Sequence, residues 1–238
     1  MSTFTPLPGT RARRRIILMR HAHVAYFDTD GKPLNPKLAP LTERGRQQAR
    51  AVALALECVP FDRVVCSGLP RTKETAEIVA AGRGLAVEHD AAFLELRPGR
   101  FNLIPREERE ARYIYGLEGP IAPGARFAGG DAFDEVQARV VAALERLLAE
   151  PGWTHLLLVA HDCVNRLLLS WACGAGLAAI GNFDQDYGCF SILDADVEDG
   201  RVVRRLIKAV NVTPDNVCKA GCYQTSMEEV FQPLLALD

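Results

Sequence analysis

The chain predicts an α/β protein: a three-layer sandwich with a mostly parallel central sheet, helices on both faces and one cap insertion. Three observations predict it. The apolar runs at residues 16–19, 63–66 and 156–160 are rich in β-formers and too short for core helices. Each is followed, after a polar break, by apolar residues at helical spacing. One long stretch rich in Arg, Glu, Gly and Pro, residues 102–130, interrupts that alternation.

Residues 1–14, with Pro6, Pro8, Gly9 and the basic Arg11, Arg13 and Arg14, read as a flexible leader to a single domain at 15–238. The first strand, 16–19, ends in Arg20 and His21. A polar loop at 22–40 precedes Thr42, a predicted N-cap, and a helix with Ala49, Val52, Ala53 and Leu56 on one face. The second strand, 63–66, runs into a turn at Ser67 and Gly68. Pro70 suits the first turn of the next helix, whose buried stripe is Ala76, Val79 and Ala80. A short strand is expected at 86–89. Within the insertion, which is read as covering the site, residues 106–116 are expected to be helical. The clearest amphipathic helix spans 131–149, with Phe133, Val136, Val140, Leu144 and Leu147 in line. Strand 156–160 ends at His161, and Asp162 reads as the N-cap of a helix carrying Leu167, Leu168 and Trp171. Strands at 189–193 and 202–210 and a short helix near Met227 complete the order.

With 48% hydrophobic and 24% charged residues, the chain has the composition of a soluble protein with a sizeable core. Its net charge of −2 gives no general attraction to nucleic acid or to an anionic membrane, so any anion site must be a local cluster. No apolar run approaches the ~20 residues that cross a bilayer, and the run behind the N-terminal arginines is too short for a secretory signal. The cysteines are odd in number and scattered, which reads as reduced thiols in a cytoplasm. Cys218 and Cys222 lie close, but no matching Cys or His pair accompanies them, so no metal and no cofactor is expected.

The strand ends carry the chemistry. In an open parallel sheet, ligands bind beyond the carboxyl ends of the strands. There the sequence places Arg20 and His21, then Ser67 with Arg71 one helical turn later, then His161. Two permanently charged planar forks, two imidazoles and the positive ends of helices make a pocket for a tetrahedral oxyanion. No G-x-x-x-x-G-K-[ST] loop is present, and no G-x-S-x-G surrounds Ser67, which therefore reads as a turn residue.

At these residues the chain resembles the histidine phosphatase superfamily, also called phosphoglycerate mutase-like. The matching segments are L-M-R-H-A, L-T-E-R-G-R-Q-Q-A, C-S-G-L-P-R-T-K-E-T-A, F-L-E-L-R-P-G-R-F, G-G-D-A-F-D-E-V-Q-A-R and V-A-H-D, in the family's order. The resemblance implies a nucleophile at His21, which takes the phosphoryl group. It implies a phosphate clamp of Arg20, Arg71 and His161, and an acid at Glu95, four residues before Gly99. It implies no metal, since the arginines supply the positive charge. The implied substrate is a small phosphorylated metabolite, its identity set by residues 102–130 and by the loop from His23 to Pro40.

The chain departs from the family pattern at three places. Ala22 stands where a glycine is usual. His23 stands where many members have an acidic or polar residue, and on the rim of the site it is a possible substrate contact. Asp162 follows His161 as in the acid-phosphatase branch, so it competes with Glu95 for the role of proton donor. Two rival functions stay open: a mutase that returns the phosphoryl group to its substrate, and a non-catalytic module that binds phospho-ligands or proteins.

Overall fold

Strand β1 (Ala12–Arg20) divides the molecule between two cores. The computed structural model describes residues 12–28, 30, 32, 34–119 and 121–236. Successive strand side chains point to opposite faces, so Ile16 and Leu18 enter one core while Ile17 and Met19 enter the other. Its neighbour β4 (His155–Ala160) is buried throughout and splits the same way, Leu156 and Leu158 against Leu157 and Val159. A strand covered on both faces can be apolar without alternation, which is why this run reads so clearly in the sequence. Each fully buried leucine there contributes about 2 kcal/mol.

The sheet has the order β3-β2-β4-β1-β5-β6. Strands β2 (Arg63–Cys66) and β3 (Val87–His89) run parallel to β4 and β1, whereas β5 (Phe190–Glu198) runs antiparallel to β1 and forms an edge hairpin with β6 (Arg201–Val212), which returns in the direction of β1. Helices α1 (Glu43–Ala55) and α2 (Pro70–Val79) cover one face. On the other lie α4 (Phe133–Ala149) and α5 (Asp162–Ala172), joined by α3 (Arg106–Tyr113) of the insertion and the C-terminal α6 (Ser226–Leu235). The three-layer α/β expectation holds.

Two boundaries differ from the sequence reading. Strand β1 begins at Ala12, so Arg13 and Arg14 of the expected leader belong to the sheet. The reason is across the strand: Arg13 faces Asp196 and Arg15 faces Asp194 in β5, each as a two-pronged pair with contacts of 2.6 to 2.9 Å. Arg14, pointing the other way, lies over the Trp153 ring at 4.6 Å. The same pairs let β5 continue through two aspartates that break its apolar pattern. The remainder of that leader, residues 1–11, lies outside the described residues.

The insertion is rooted by aromatic packing. The Tyr113 ring lies 5.4 Å from Phe101 and 4.9 Å from Phe231 of α6, and Phe127 lies 6.1 Å from Phe231. For the site, the decisive feature is register. Arg20 pairs with Ala160 and Met19 with Val159, and Cys66 pairs with the same Val159. The ends of β1, β2 and β4 are therefore level, and His21, Ser67 and His161 emerge side by side.

Candidate active site

His21 is buried at the end of β1, with its backbone held from both sides. Its N–H donates to the Ala160 carbonyl (3.1 Å), and its own carbonyl accepts from the Gly188 N–H (3.2 Å). The ring Nδ1 lies 2.9 Å from the Ala22 carbonyl. A carbonyl can only accept, so Nδ1 carries the proton and Nε2 is left with a bare lone pair. The Ala22 N–H in turn donates to Thr75 Oγ1 (3.1 Å), which donates to the Arg71 carbonyl (2.7 Å). The histidine loop is thus stitched to α2. Burial, and then the charges of Arg71, His161 and Arg20, hold the His21 imidazole well below its usual pKa, so it is neutral at neutral pH.

Around it the three expected clamp residues converge. Arg20 is buried, donates through Nη1 to the Gln185 carbonyl, and lies 3.9 Å over the Tyr187 ring. Arg71, in the first turn of α2, donates to the Pro36 carbonyl (2.6 Å), and its Nη2 is 3.4 Å from His161 Nδ1. The rings of His21 and His161 meet edge to face at 5.4 Å. His161 is fixed on its far side by Ser67, whose Oγ is 2.8 Å from Nε2. Ser67 therefore does more than turn the chain: it orients an imidazole. The buried Nε atoms of Arg20 and Arg71 have no protein acceptor. Unmet buried donors are costly, and a tetrahedral oxyanion placed between the guanidiniums would offer them acceptors.

Two carboxylates stand beside this clamp in different states. Glu95 follows a short helical turn at Ala91–Phe93; its oxygens accept from the Leu96 N–H (2.9 Å) and the Cys163 N–H (3.3 Å). Its loop is braced from outside. Arg97 pairs with Asp131 at 3.0 Å, and a Cβ on Gly99 would come within 2.3 Å of the Ala128 carbonyl. The spacing of Glu95 and Gly99 and the G-G-D element thus belong to one packed contact. The Glu95 residue is partly exposed, yet its carboxyl is enclosed. Burial first, and then the negative charge of Asp162, push it up to about 7, against the pull of the two amides and of Arg71 and Arg20.

Asp162 corrects the sequence reading. The N-cap of α5 is His161, and Asp162 is the first helical residue. Its carboxylate turns away from the helix end to Arg166 Nε (2.5 Å) and to Arg20 Nη1 (3.3 Å). Burial opposes its charge, but Arg166 and Arg20 outweigh burial and hold it below the usual carboxylate range. A carboxylate so paired is a poor proton donor at neutral pH.

With this geometry in place, a family model described as histidine phosphatase superfamily (branch 1) matches residues 16–208. The chain belongs to that superfamily. The Escherichia coli (strain K12) adenosylcobalamin/alpha-ribazole phosphatase is 29% identical over 182 residues, covering 76% of this chain and 89% of that protein. A probable phosphoglycerate mutase of Yersinia enterocolitica is 30% identical over 167 residues, 67% of this chain and 75% of its own length. Among solved structures, a putative alpha-ribazole-5'-P phosphatase from Escherichia coli superposes with a TM-score of 0.65 at 26% identity, covering 84% and 97% of the two chains. A mycobacterial glucosyl-3-phosphoglycerate phosphatase shares the fold with a TM-score of 0.69 at 23% identity, over 83% and 98%. Membership and the relatives named as phosphatases support a phosphatase enzyme.

His23 is half-buried. Its Nδ1 is engaged by Thr42 Oγ1 at 2.8 Å, its N–H donates to Gln48 Oε1 (3.0 Å), and its ring meets Tyr187 at 5.1 Å. Burial, with Arg44 and Arg20 nearby, lowers its pKa to about 4. The close approach of α1 explains the glycine in L-T-E-R-G: a Cβ on Gly45 would come 2.2 Å from the His23 carbonyl. Tyr187, which supports Arg20 and faces both His21 (5.7 Å) and His23, was not anticipated. Its signal lay in the polar run N-F-D-Q-D-Y-G just before an apolar strand. Asn165 was also missed. With its amide turned to suit both partners, it accepts from the Arg20 N–H (3.1 Å) and donates to the His161 carbonyl (3.2 Å), tying the two strand ends. Among the described residues no group of three or more His, Cys, Asp and Glu side chains could hold a metal ion, and no helix is long and apolar enough to cross a membrane.

Proposed function

We propose that this chain is a metal-independent phosphatase that hydrolyses a small phosphomonoester through a phosphohistidine on His21. The observation that carries the reading is the fixed tautomer of His21: a bare, neutral Nε2 set among Arg20, Arg71 and His161. Nε2 attacks phosphorus as the ester P–O bond breaks, and the arginines and His161 neutralise the equatorial oxygens as charge shifts. The leaving oxygen takes the proton of Glu95, which the raised pKa keeps available near neutrality. Water then attacks the phosphohistidine, Glu95 recovers a proton from it, and inorganic phosphate leaves with His21 restored.

The mutase reading rests on the resemblance to a probable phosphoglycerate mutase. Against it, His23 stands in the loop after the nucleophile with its ring already engaged by Thr42. Relatives named for alpha-ribazole phosphate support a phosphorylated small molecule as substrate. Residues 102–130 and the loop at 23–40 are the segments we assign to its selection, in a single domain that starts with β1. The unbridged, scattered cysteines support a cytoplasmic setting. The test is a phosphatase screen over phosphorylated metabolites with His21→Ala as blank, with one arm on 3-phosphoglycerate. Free phosphate supports the reading; 2-phosphoglycerate without phosphate release overturns it in favour of the mutase.

A further inference from the structure

Asp162 is a second buried carboxylate in a pocket meant for an anion, where an uncompensated negative charge would repel substrate. The structure shows how it is compensated and what it faces. One oxygen is taken by Arg166, itself buried and held by Asp184 (2.7 Å), Ser226 (3.0 Å) and the Ile180 carbonyl (3.3 Å). The other oxygen has no hydrogen-bond partner and lies 3.3 Å from Arg20 Nη1. The amide of the next residue, Cys163, donates to Glu95, so Asp162 and the acid sit against the same first turn of α5. Arg166 is anchored beside Asp162 by its further hydrogen bonds to Asp184, Ser226 and the Ile180 carbonyl.

We propose that Asp162 is a positioning residue and not a proton donor: a fixed counter-charge, clamped by Arg166, that aims Arg20 at the phosphoryl site and stands as an anion beside Glu95 at the first turn of α5. The inference rests on Glu95 being the acid. The charged and titratable groups that face Glu95 are Arg20 from β1, Arg71 from α2, Tyr26 from the loop after β1, Arg139 from α4, and Asp162 and Cys163 from α5. Among them Asp162 is the carboxylate, and as an anion it opposes a second negative charge on its neighbour. The arginines act in the opposite sense. Removing Asp162 therefore leaves them unopposed, and Glu95 ionises at lower pH.

The experiment compares pH profiles of kcat/KM for an alkyl phosphate and for p-nitrophenyl phosphate, in the wild type, Asp162→Asn and Glu95→Gln. Removing a buried anion between two arginines can prevent folding. The double variant Asp162→Asn with Arg166→Met, which removes one charge of each sign, is therefore run beside it. A carbon-13 titration of Glu95 in the wild type needs no variant at all. The expected result is a wild-type alkyl-phosphate profile that falls above neutrality, and a fall displaced to lower pH by about one unit in either Asp162 variant, about tenfold in rate on the alkaline side. The Glu95 carbon-13 midpoint should lie near 7. A fall that stays in place in the Asp162 variants, or a Glu95 midpoint in the ordinary carboxylate range, overturns the proposal. If the fall disappears in Glu95→Gln but does not move in Asp162→Asn, only this inference fails. If it survives unchanged in Glu95→Gln, the assignment of the acid fails with it.

Discussion

At the strand ends of β1, β2 and β4, the groups around His21 are fixed by hydrogen bonds to their neighbours. Thr75 holds the Ala22 loop, Ser67 holds His161, and the carbonyls of Pro36 and Gln185 hold Arg71 and Arg20. On the α5 side, by contrast, Glu95 and Asp162 stand among Arg20, Arg71 and Arg166, and their opposite pKa shifts come from charge and burial. The first region is organised by geometry and the second by electrostatics. The contrast teaches where a change should show. Damage to the clamp slows every substrate alike, whereas damage to the acid side depends on leaving group and pH.

The largest effect expected is at His21. Replacing it with Ala removes the proposed nucleophile and should reduce kcat/KM by about 10⁴-fold or more, for alkyl and nitrophenyl phosphates equally. Steady-state kinetics on both substrates check this; a strong dependence on leaving group would break the contrast. Arg71→Met comes next. Losing one donor to the transferring group costs about 10²–10³-fold, again regardless of leaving group, with phosphate inhibition weakened in parallel.

Glu95→Gln sharpens the comparison most. A poor leaving group needs the proton and nitrophenolate does not, so alkyl phosphate should lose about 10²–10³-fold and p-nitrophenyl phosphate about tenfold at most. The same logic gives a pH dependence in the wild type. Glu95 is protonated below its pKa of about 7 and ionised above it, so the alkyl-to-nitrophenyl rate ratio should fall as pH rises through neutrality. A ratio flat from pH 5 to about 9 would place the proton donor elsewhere. The smallest effect is at Ser67→Ala. It removes one hydrogen bond of about 1 kcal/mol from His161 and should cost about fivefold on both substrates, with stability monitored by thermal melting.

The same contrast explains what the sequence disclosed. The clamp was legible because strands buried on both faces stop abruptly at Arg20 and at His161, and because Arg71 directly follows a turn-and-proline signal. The strand limits at Arg63–Cys66 and the cap at Thr42 were legible for the same local reasons. The start of β1 was not, since a run of arginines reads as a solvated leader until Asp194 and Asp196 stand across the sheet. Asp162 misled for a local reason too. An aspartate after a strand looks like a helix cap, and only the placement of Arg166 and Arg20 shows that its carboxylate is otherwise engaged. Tyr187 and Asn165 act on Arg20 from far along the chain, and no spacing rule points to them.

The proposed reaction requires that His21 carry the phosphoryl group. Rapid acid-free quenching of the enzyme with radiolabelled phosphomonoester, followed by peptide mapping, tests it most directly. The label should be acid-labile and base-stable, should lie on the peptide containing His21, and should be absent from His21→Ala. Label on Ser67 or on a cysteine, or turnover in His21→Ala at a wild-type rate, would contradict it.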